Sequence, residues 1–264
     1  MLGFFGAGNM ATAILRGVLS SGLLSADEIA VFDIDGEKTA ALSAETGVEA
    51  AASPAALIDA CDTVLLAVKP QVLPAILQEN ASQIARRMPL LISIAAGKPL
   101  AFYEAQLGFP VRMVRVMPNL NAAVGAAVSA FCGNENATED DLAFAEKLCA
   151  SFGTALALPE AQFPIFGVLG GCAPAFVFLF IDAMAQAGVK NGLTKQAALS
   201  ISAQTVLGSA KMLLEGGEHP RKLIDSVCSP GGTTVEGVMC LQKDGFEAAV
   251  HAAVQAALEK DKRL

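Results

Sequence analysis

A short apolar run, Leu2 to Phe5, leads directly into Gly6-Ala7-Gly8-Asn9-Met10-Ala11, and a helical pattern follows through Leu19. A G-x-G-x-x-A loop between a strand and a helix leaves few folds open. The first glycine makes the tight turn, the second lets a pyrophosphate approach the backbone, and the small third residue allows close helix-strand packing. Gly6, Ala7, Gly8, Asn9 and Met10 are thus candidate dinucleotide contacts, with the phosphates at a helix N-terminus. A second strand, Glu28 to Phe32, ends at Asp33, where a carboxylate can accept the adenosine ribose hydroxyls. Asp33 also repels a ribose 2′-phosphate, and no arginine follows closely, so NADH is favoured locally, although a loop could bring Lys38 within reach. Asp33-Ile34-Asp35-Gly36 equally composes a solvated turn.

Further strands are expected at Thr63 to Val68, Leu90 to Ala95, Val111 to Val116, Ala127 to Phe131 and Thr154 to Leu158, alternating with helical segments. That alternation predicts an α/β, Rossmann-type doubly wound sheet. Ligands in such sheets sit beyond the strand C-termini. Lys69-Pro70, Ala96-Gly97 and Met117-Pro118-Asn119 occupy those places, and the Asn119 amide suits a carboxamide. Lys69 reads equally as a surface lysine. From residue 160 onward no strand is expected, only helices over 161 to 187, 194 to 214, 221 to 227 and 232 to 260. The reading is therefore two domains, a dinucleotide-binding domain over 1–158 and an all-α domain over 159–264.

The net charge is −8, and the chain lacks the basic surface that nucleic-acid binding needs. Ala161 to Ile181 carries no charge and is long enough to cross a bilayer. Pro164, Gly167, Gly170, Gly171 and Pro174 interrupt it, however, and Glu160 and Asp182 flank it in place of basic anchors. Burial against a second subunit is the expectation, with no membrane span and at least a dimer. The six cysteines form no C-x-x-C pair and read as reduced, buried side chains of a cytoplasmic protein. The N-terminus reads as a first strand and not as a secretory signal. His219 and His251 have no ligand-like company, so no metal is expected.

The second candidate site is Ser229-Pro230-Gly231-Gly232-Thr233-Thr234. Gly231 and Gly232 permit positive-φ turns that gather N–H groups into an anion-binding nest, and Ser229, Thr233 and Thr234 add hydroxyls. The loop has no ionisable side chain, which suits gripping a small carboxylate better than acid-base chemistry. The same residues also make an ordinary turn between helices.

Together these segments resemble the pyrroline-5-carboxylate reductases. The resemblance covers essentially the whole chain, through Gly6 to Met10, Ala67-Val68-Lys69-Pro70, Ser93 to Gly97, Arg115 to Asn119, Pro174-Ala175, and Asp225 followed by Ser229 to Thr234. It implies a Rossmann domain followed by a helical domain that intertwines with a second subunit. The implied activity is hydride transfer from NADPH or NADH to the C=N bond of 1-pyrroline-5-carboxylate, giving proline. Ser229 and the backbone of Gly232, Thr233 and Thr234 would hold the substrate carboxylate, with the Thr234 hydroxyl on the ring nitrogen as the catalytic contact. Gly6 to Met10, Val68, Lys69 and Ala96 would line the cofactor site. The chain departs from the family at Cys172-Ala173 and Phe176, where Ser-Gly and Tyr are frequent, at Leu120-Asn121 in place of Thr-Pro, and at Pro54, near a frequent asparagine.

Two rivals remain. A β-hydroxyacid dehydrogenase relies on a lysine early in the first long helix, and this chain has none between Lys147 and Lys190. A dinucleotide-sensing regulatory protein needs the first loop but not the carboxylate nest, so proline binding in the presence of cofactor separates a reductase from a sensor.

Overall fold

The computed structural model describes residues 1–261. It contains one eight-stranded sheet with strands in the order β3-β2-β1-β4-β5-β6-β7-β8. The strands are β1 (Leu2–Phe5), β2 (Ile29–Phe32), β3 (Glu49–Ala50), β4 (Thr63–Leu66), β5 (Leu90–Ser93), β6 (Met113–Met117), β7 (Ala127–Gly133) and β8 (Gly153–Ala157). The pairing is parallel except between β6 and β7. β1 lies between β2 and β4, with Leu2 opposite both Ile29 and Thr63. Strand order reverses there, so the loop after β1 opens at the topological switch point.

Helices cover both faces of the sheet, which is why its central strands read as unbroken apolar runs. The helices of this half are α1 (Asn9–Ser21), α2 (Gly36–Thr46), α3 (Pro54–Ala60), α4 (Leu73–Glu79), α5 (Ala81–Arg87), α6 (Leu100–Leu107) and α7 (Glu139–Ala150). Successive residues of a strand point to opposite faces. Leu2 and Phe4 accordingly join Ile14, Leu15 and Val18 in one core, while Phe5 joins Leu57, Ile58 and Tyr103 in the other. A capping box opens α7, with the Thr138 hydroxyl and the Asp141 carboxylate each accepting the other residue's N–H.

The first compact unit runs from Met1 to Gly171, past the 158/159 boundary expected from the sequence. The reason is a set of contacts made after β8. A Glu160 oxygen accepts from the Leu100 N–H at 2.8 Å and from the Arg115 guanidinium at 3.0 Å. That guanidinium stands 4.6 Å from the ring of Phe163, which is fully buried against Ala130 and Phe166. The single helix expected over 161 to 187 is three pieces: α8 (Phe163–Phe166), a π-helical stretch (Gly167–Cys172) and α9 (Ala173–Lys190). Pro164 and Pro174 sit in the first turns of α8 and α9, where a missing N–H costs no helical bond.

The second unit, Cys172 onward, is helical throughout its described residues: α9, α10 (Lys195–Gly216), α11 (Pro220–Val227), α12 (Thr233–Lys243) and α13 (Phe246–Asp261). The continuous helix expected over 232 to 260 is broken at Asp244-Gly245, where Gly245 adopts φ +80°. α9 packs along α10, and Phe180 meets Phe246 of α13 at 5.9 Å between ring centroids. Among the described residues two helical stretches are long and apolar enough to cross a membrane, Glu160–Lys190, counted across its breaks, and Lys195–Gly216, and little of either is covered by the single chain. Phe178, Leu179, Leu207, Met212 and Leu214 are all exposed. Cys61 and Cys149 are buried and Cys132 and Cys228 half-buried, but Cys172 and Cys240 are exposed on the single chain, against the expectation of uniformly buried thiols.

Candidate active site

In the first unit the loop after β1 is fixed by its neighbours. The Gly6 N–H donates to the Phe32 carbonyl at 2.7 Å, and Gly6 has φ +113°. A Cβ at Gly6 would lie 2.5 Å from the Ala67 carbonyl oxygen and 3.2 Å from Val68 Cγ1, so the chain itself demands glycine there. Gly8 differs: a Cβ there would meet no protein atom within 4 Å. Its bareness keeps clear a space at the N-terminus of α1 that the protein leaves unfilled. No side chain caps that terminus, and the first turn of α1 holds no acid. Open N–H groups, the positive end of the helix dipole and cleared space are what a pyrophosphate requires, so these residues fit a dinucleotide.

Asp33 is joined to this loop directly. Its Oδ2 accepts from the Ala7 N–H at 2.7 Å and its Oδ1 from the Asp35 N–H at 2.9 Å. The Asp33 N–H donates to Thr39 Oγ1 at 3.0 Å. Lys38 pairs with Asp35 at 3.1 Å, which raises the pKa of the amine and lowers that of the carboxyl through their mutual hydrogen bond.

The other expected cofactor residues follow β4, β5 and β6. Val68 and Pro70 are half-buried, Lys69 is exposed, and the Lys69 carbonyl accepts from the Val72 N–H. Ala96 is exposed in a turn with Gly97 at φ +71°. The start of that turn is pinned from below: Tyr103 donates to Ser93 Oγ at 2.5 Å and the Ala95 N–H donates to the same oxygen at 3.2 Å. Burial pushes the Tyr103 phenol's pKa up, so it stays a donor. Asn119 is buried. Its Nδ2 donates to the Gly170 carbonyl in the π-helical stretch at 2.9 Å, and its buried Oδ1 has no protein partner.

In the second unit, Ser229-Pro230-Gly231-Gly232 forms a turn closed by the Gly232 N–H donating to the Ser229 carbonyl at 3.0 Å. Proline followed by a glycine at φ +67° is the pattern of a type II turn. Gly232 then caps α12 with extended backbone and no side chain, and a Cβ there would sit 2.4 Å from Ser229 Oγ. Thr233 and Thr234 occupy the first turn of α12, so their N–H groups have no partner within the helix. Thr234 also lines a largely apolar cavity of about 270 Å³ with Met212, Leu223, Ile224, Cys228 and Val238. No three His, Cys, Asp or Glu side chains among the described residues could hold a metal.

Comparison with known proteins matches both units. The family profile described as pyrroline-5-carboxylate reductase dimerisation matches residues 160–264, and that of coenzyme F420-dependent NADP oxidoreductases matches residues 1–97. The pyrroline-5-carboxylate reductase of Methanosarcina acetivorans is 40% identical over 263 residues, covering 100% of this chain and 97% of that protein. The chain belongs to the pyrroline-5-carboxylate reductase family. The reductase of Escherichia coli is likewise 40% identical over 264 residues, with the same coverage. The solved reductase of Coxiella burnetii superposes with a TM-score of 0.95 at 31% identity, over 99% of this chain and 97% of that one. The Plasmodium falciparum enzyme, solved with NADP bound, gives 0.86 at 30% identity over the same shares. A prephenate dehydrogenase from Aquifex aeolicus shares the fold alone, with a TM-score of 0.55 and 15% identity.

Several residues that brace these candidate positions were not visible as such in the sequence. Thr39 and the Ala7 N–H hold Asp33, Ser93 and Tyr103 hold the approach to Ala96, and Glu160 holds the start of α6. Each bond joins side chains far apart in the chain or uses a backbone group, and neither leaves a motif.

Proposed function

We propose that this protein reduces the C=N bond of 1-pyrroline-5-carboxylate to give L-proline, the last step of proline biosynthesis, with NADPH or NADH as the electron donor. The observation that carries this reading is the 40% identity with curated reductases over the whole chain, helical unit included. The alternatives seen in the sequence have no such support: the neighbouring dehydrogenase folds are below the identity at which activity transfers.

In this reading, when bound, the reduced nicotinamide supplies the hydride. The chain's task is to hold, orient and exclude. Gly6, Ala7, Gly8, Asn9 and Met10 seat the pyrophosphate at the head of α1, Asp33 takes the adenosine ribose, and Val68, Lys69, Pro70, Ala96 and Asn119 border the remainder. Ser229 and the backbone of Gly231, Gly232, Thr233 and Thr234 take the substrate carboxylate. Hydrogen bonds to a carboxylate contribute about 1.5–3 kcal/mol each, so two or three fix the ring's pose. The Thr234 hydroxyl meets the ring nitrogen as the catalytic contact. A protonated imine is already electrophilic, so hydroxyls and N–H groups suffice once donor and acceptor are aligned.

We further infer a homo-oligomer, at least a dimer, in which the exposed apolar faces of α9 and α10 meet a second copy and neither lipid nor nucleic acid, in the cytoplasm. The dimerisation-family match over 160–264 supports the assembly. The test is to mix purified protein with 1-pyrroline-5-carboxylate and reduced nicotinamide cofactor and follow absorbance and proline together. Cofactor oxidation matched by proline supports the reading. Folded oligomer that oxidises neither NADH nor NADPH overturns it.

A further inference from the structure

We propose that this chain binds NADH in preference to NADPH, and that Asp33, held rigid by the cofactor loop itself, sets that preference. The proposal rests on the dinucleotide reading above and names which dinucleotide it takes.

The Asp33 carboxylate cannot turn aside without releasing the Ala7 N–H from Oδ2 and the Asp35 N–H from Oδ1. Ionised, it has about four acceptor positions and no donor. Two are filled by these N–H groups, which leaves one on each oxygen. A ribose diol offers two O–H donors to fill them. A ribose 2′-phosphate offers neither: it replaces a donor with acceptor oxygens and adds about −1.5 to −2 charges beside an existing negative one.

A cation could reverse that balance, and the structure leaves none free in this turn. Lys38, the cation of the turn, is paired with Asp35. Arg16 of α1 gives both Nε and Nη2 to the Glu45 carboxylate, at 2.8 and 2.9 Å. The turn from Asp33 to Lys38 therefore carries Asp33, Asp35 and Glu37 against one committed lysine. The profile of NADP oxidoreductases matches this half of the chain, and a relative was solved with NADP, so the preference is a departure carried by this chain's own residues.

The test is equilibrium binding on the intact oligomer, using the fluorescence of bound NADH and NADPH and calorimetry with NAD+ and NADP+, for wild type, Asp33→Asn and Asp35→Asn. Wild type should bind NADH at least about tenfold more tightly, with the gap narrowing as salt screens the repulsion. Asp33→Asn keeps an oxygen for the Ala7 N–H but removes the charge, and should close the gap by about tenfold, mainly by tightening NADPH. Asp35→Asn frees Lys38 and should tighten NADPH severalfold with NADH nearly unchanged. Wild type that binds NADPH as tightly as NADH, or a ratio unmoved in folded Asp33→Asn, overturns the preference while leaving the dinucleotide site in place. Failure of wild type to bind any of the four nucleotides overturns the dinucleotide reading and this inference with it.

Discussion

Replacement of Glu160 tests how the first unit is closed. One Glu160 oxygen serves two donors, the Leu100 N–H that begins α6 and the guanidinium of the largely buried Arg115. Glu160→Ala leaves that N–H without its acceptor, at a cost of about 1–3 kcal/mol. It also removes the carboxylate paired with Arg115 and leaves the guanidinium over the Phe163 ring. Removing one partner of a fully buried ion pair costs about 3–5 kcal/mol. The Glu160 side chain is 33% exposed, so water recovers part of this. A total of about 2–4 kcal/mol follows for Glu160→Ala, and about 1 kcal/mol for Glu160→Gln, whose amide oxygen still accepts. The assay is built into the chain: there is no tryptophan, and the single tyrosine, Tyr103, is buried in the first unit. Tyrosine fluorescence during urea unfolding therefore reports this unit alone. A Glu160→Ala midpoint corresponding to less than about 0.5 kcal/mol of destabilisation, the size of an ordinary surface change, would refute the reasoning.

The other predictions concern the site and the thiols. Thr234→Ala should lower turnover by roughly tenfold or more while the protein still folds and assembles, the scale of one lost transition-state hydrogen bond; unchanged kcat removes Thr234 from the chemistry. Gly6→Ala forces a side chain into φ +113° against the Ala67 carbonyl and should cost at least about 1–3 kcal/mol in thermal stability. Gly8→Ala should leave the melting temperature nearly unchanged yet weaken dinucleotide binding at least about tenfold, because the obstructed space belongs to the ligand. Burial pushes the Cys149 thiol up to about 12 from the ordinary 9.0. A raised folded-state pKa means the stability it contributes is intact below pH 9 and is lost as pH rises toward 12. Cys149→Ala should therefore remove about 1 kcal/mol of the stability lost between pH 9 and pH 10, read from urea midpoints by circular dichroism.

What the sequence made legible was whatever has a short-range cause. The central strands of the sheet announced themselves as apolar runs, and the cofactor loop by glycines whose spacing reflects a turn and a cleared space. Strand β3, only Glu49–Ala50 and exposed, offered no apolar run to read. The break between α12 and α13 falls at Asp244-Gly245, where Gly245 takes φ +80° within the stretch expected as one helix. The dimerisation-family match begins at residue 160, beside the expected boundary, while the compact first unit runs on to Gly171 because Glu160 and Phe163 are held by Arg115, Leu100 and Ala130, long-range contacts that no local pattern encodes. Asn119 shows the same limit: its position after a strand was legible, but the bond from its Nδ2 to the Gly170 carbonyl, 51 residues away, was not.

The proposed reaction stands or falls on whether the Ser229–Thr234 turn holds the substrate carboxylate. The most direct measurement is a crystal structure of the assembled protein with proline and oxidised cofactor. The proline carboxylate should lie on Ser229 Oγ and the N–H groups of Thr233 and Thr234, with the ring nitrogen at the Thr234 hydroxyl. Proline ordered elsewhere, with that turn in contact only with solvent or protein, would contradict it.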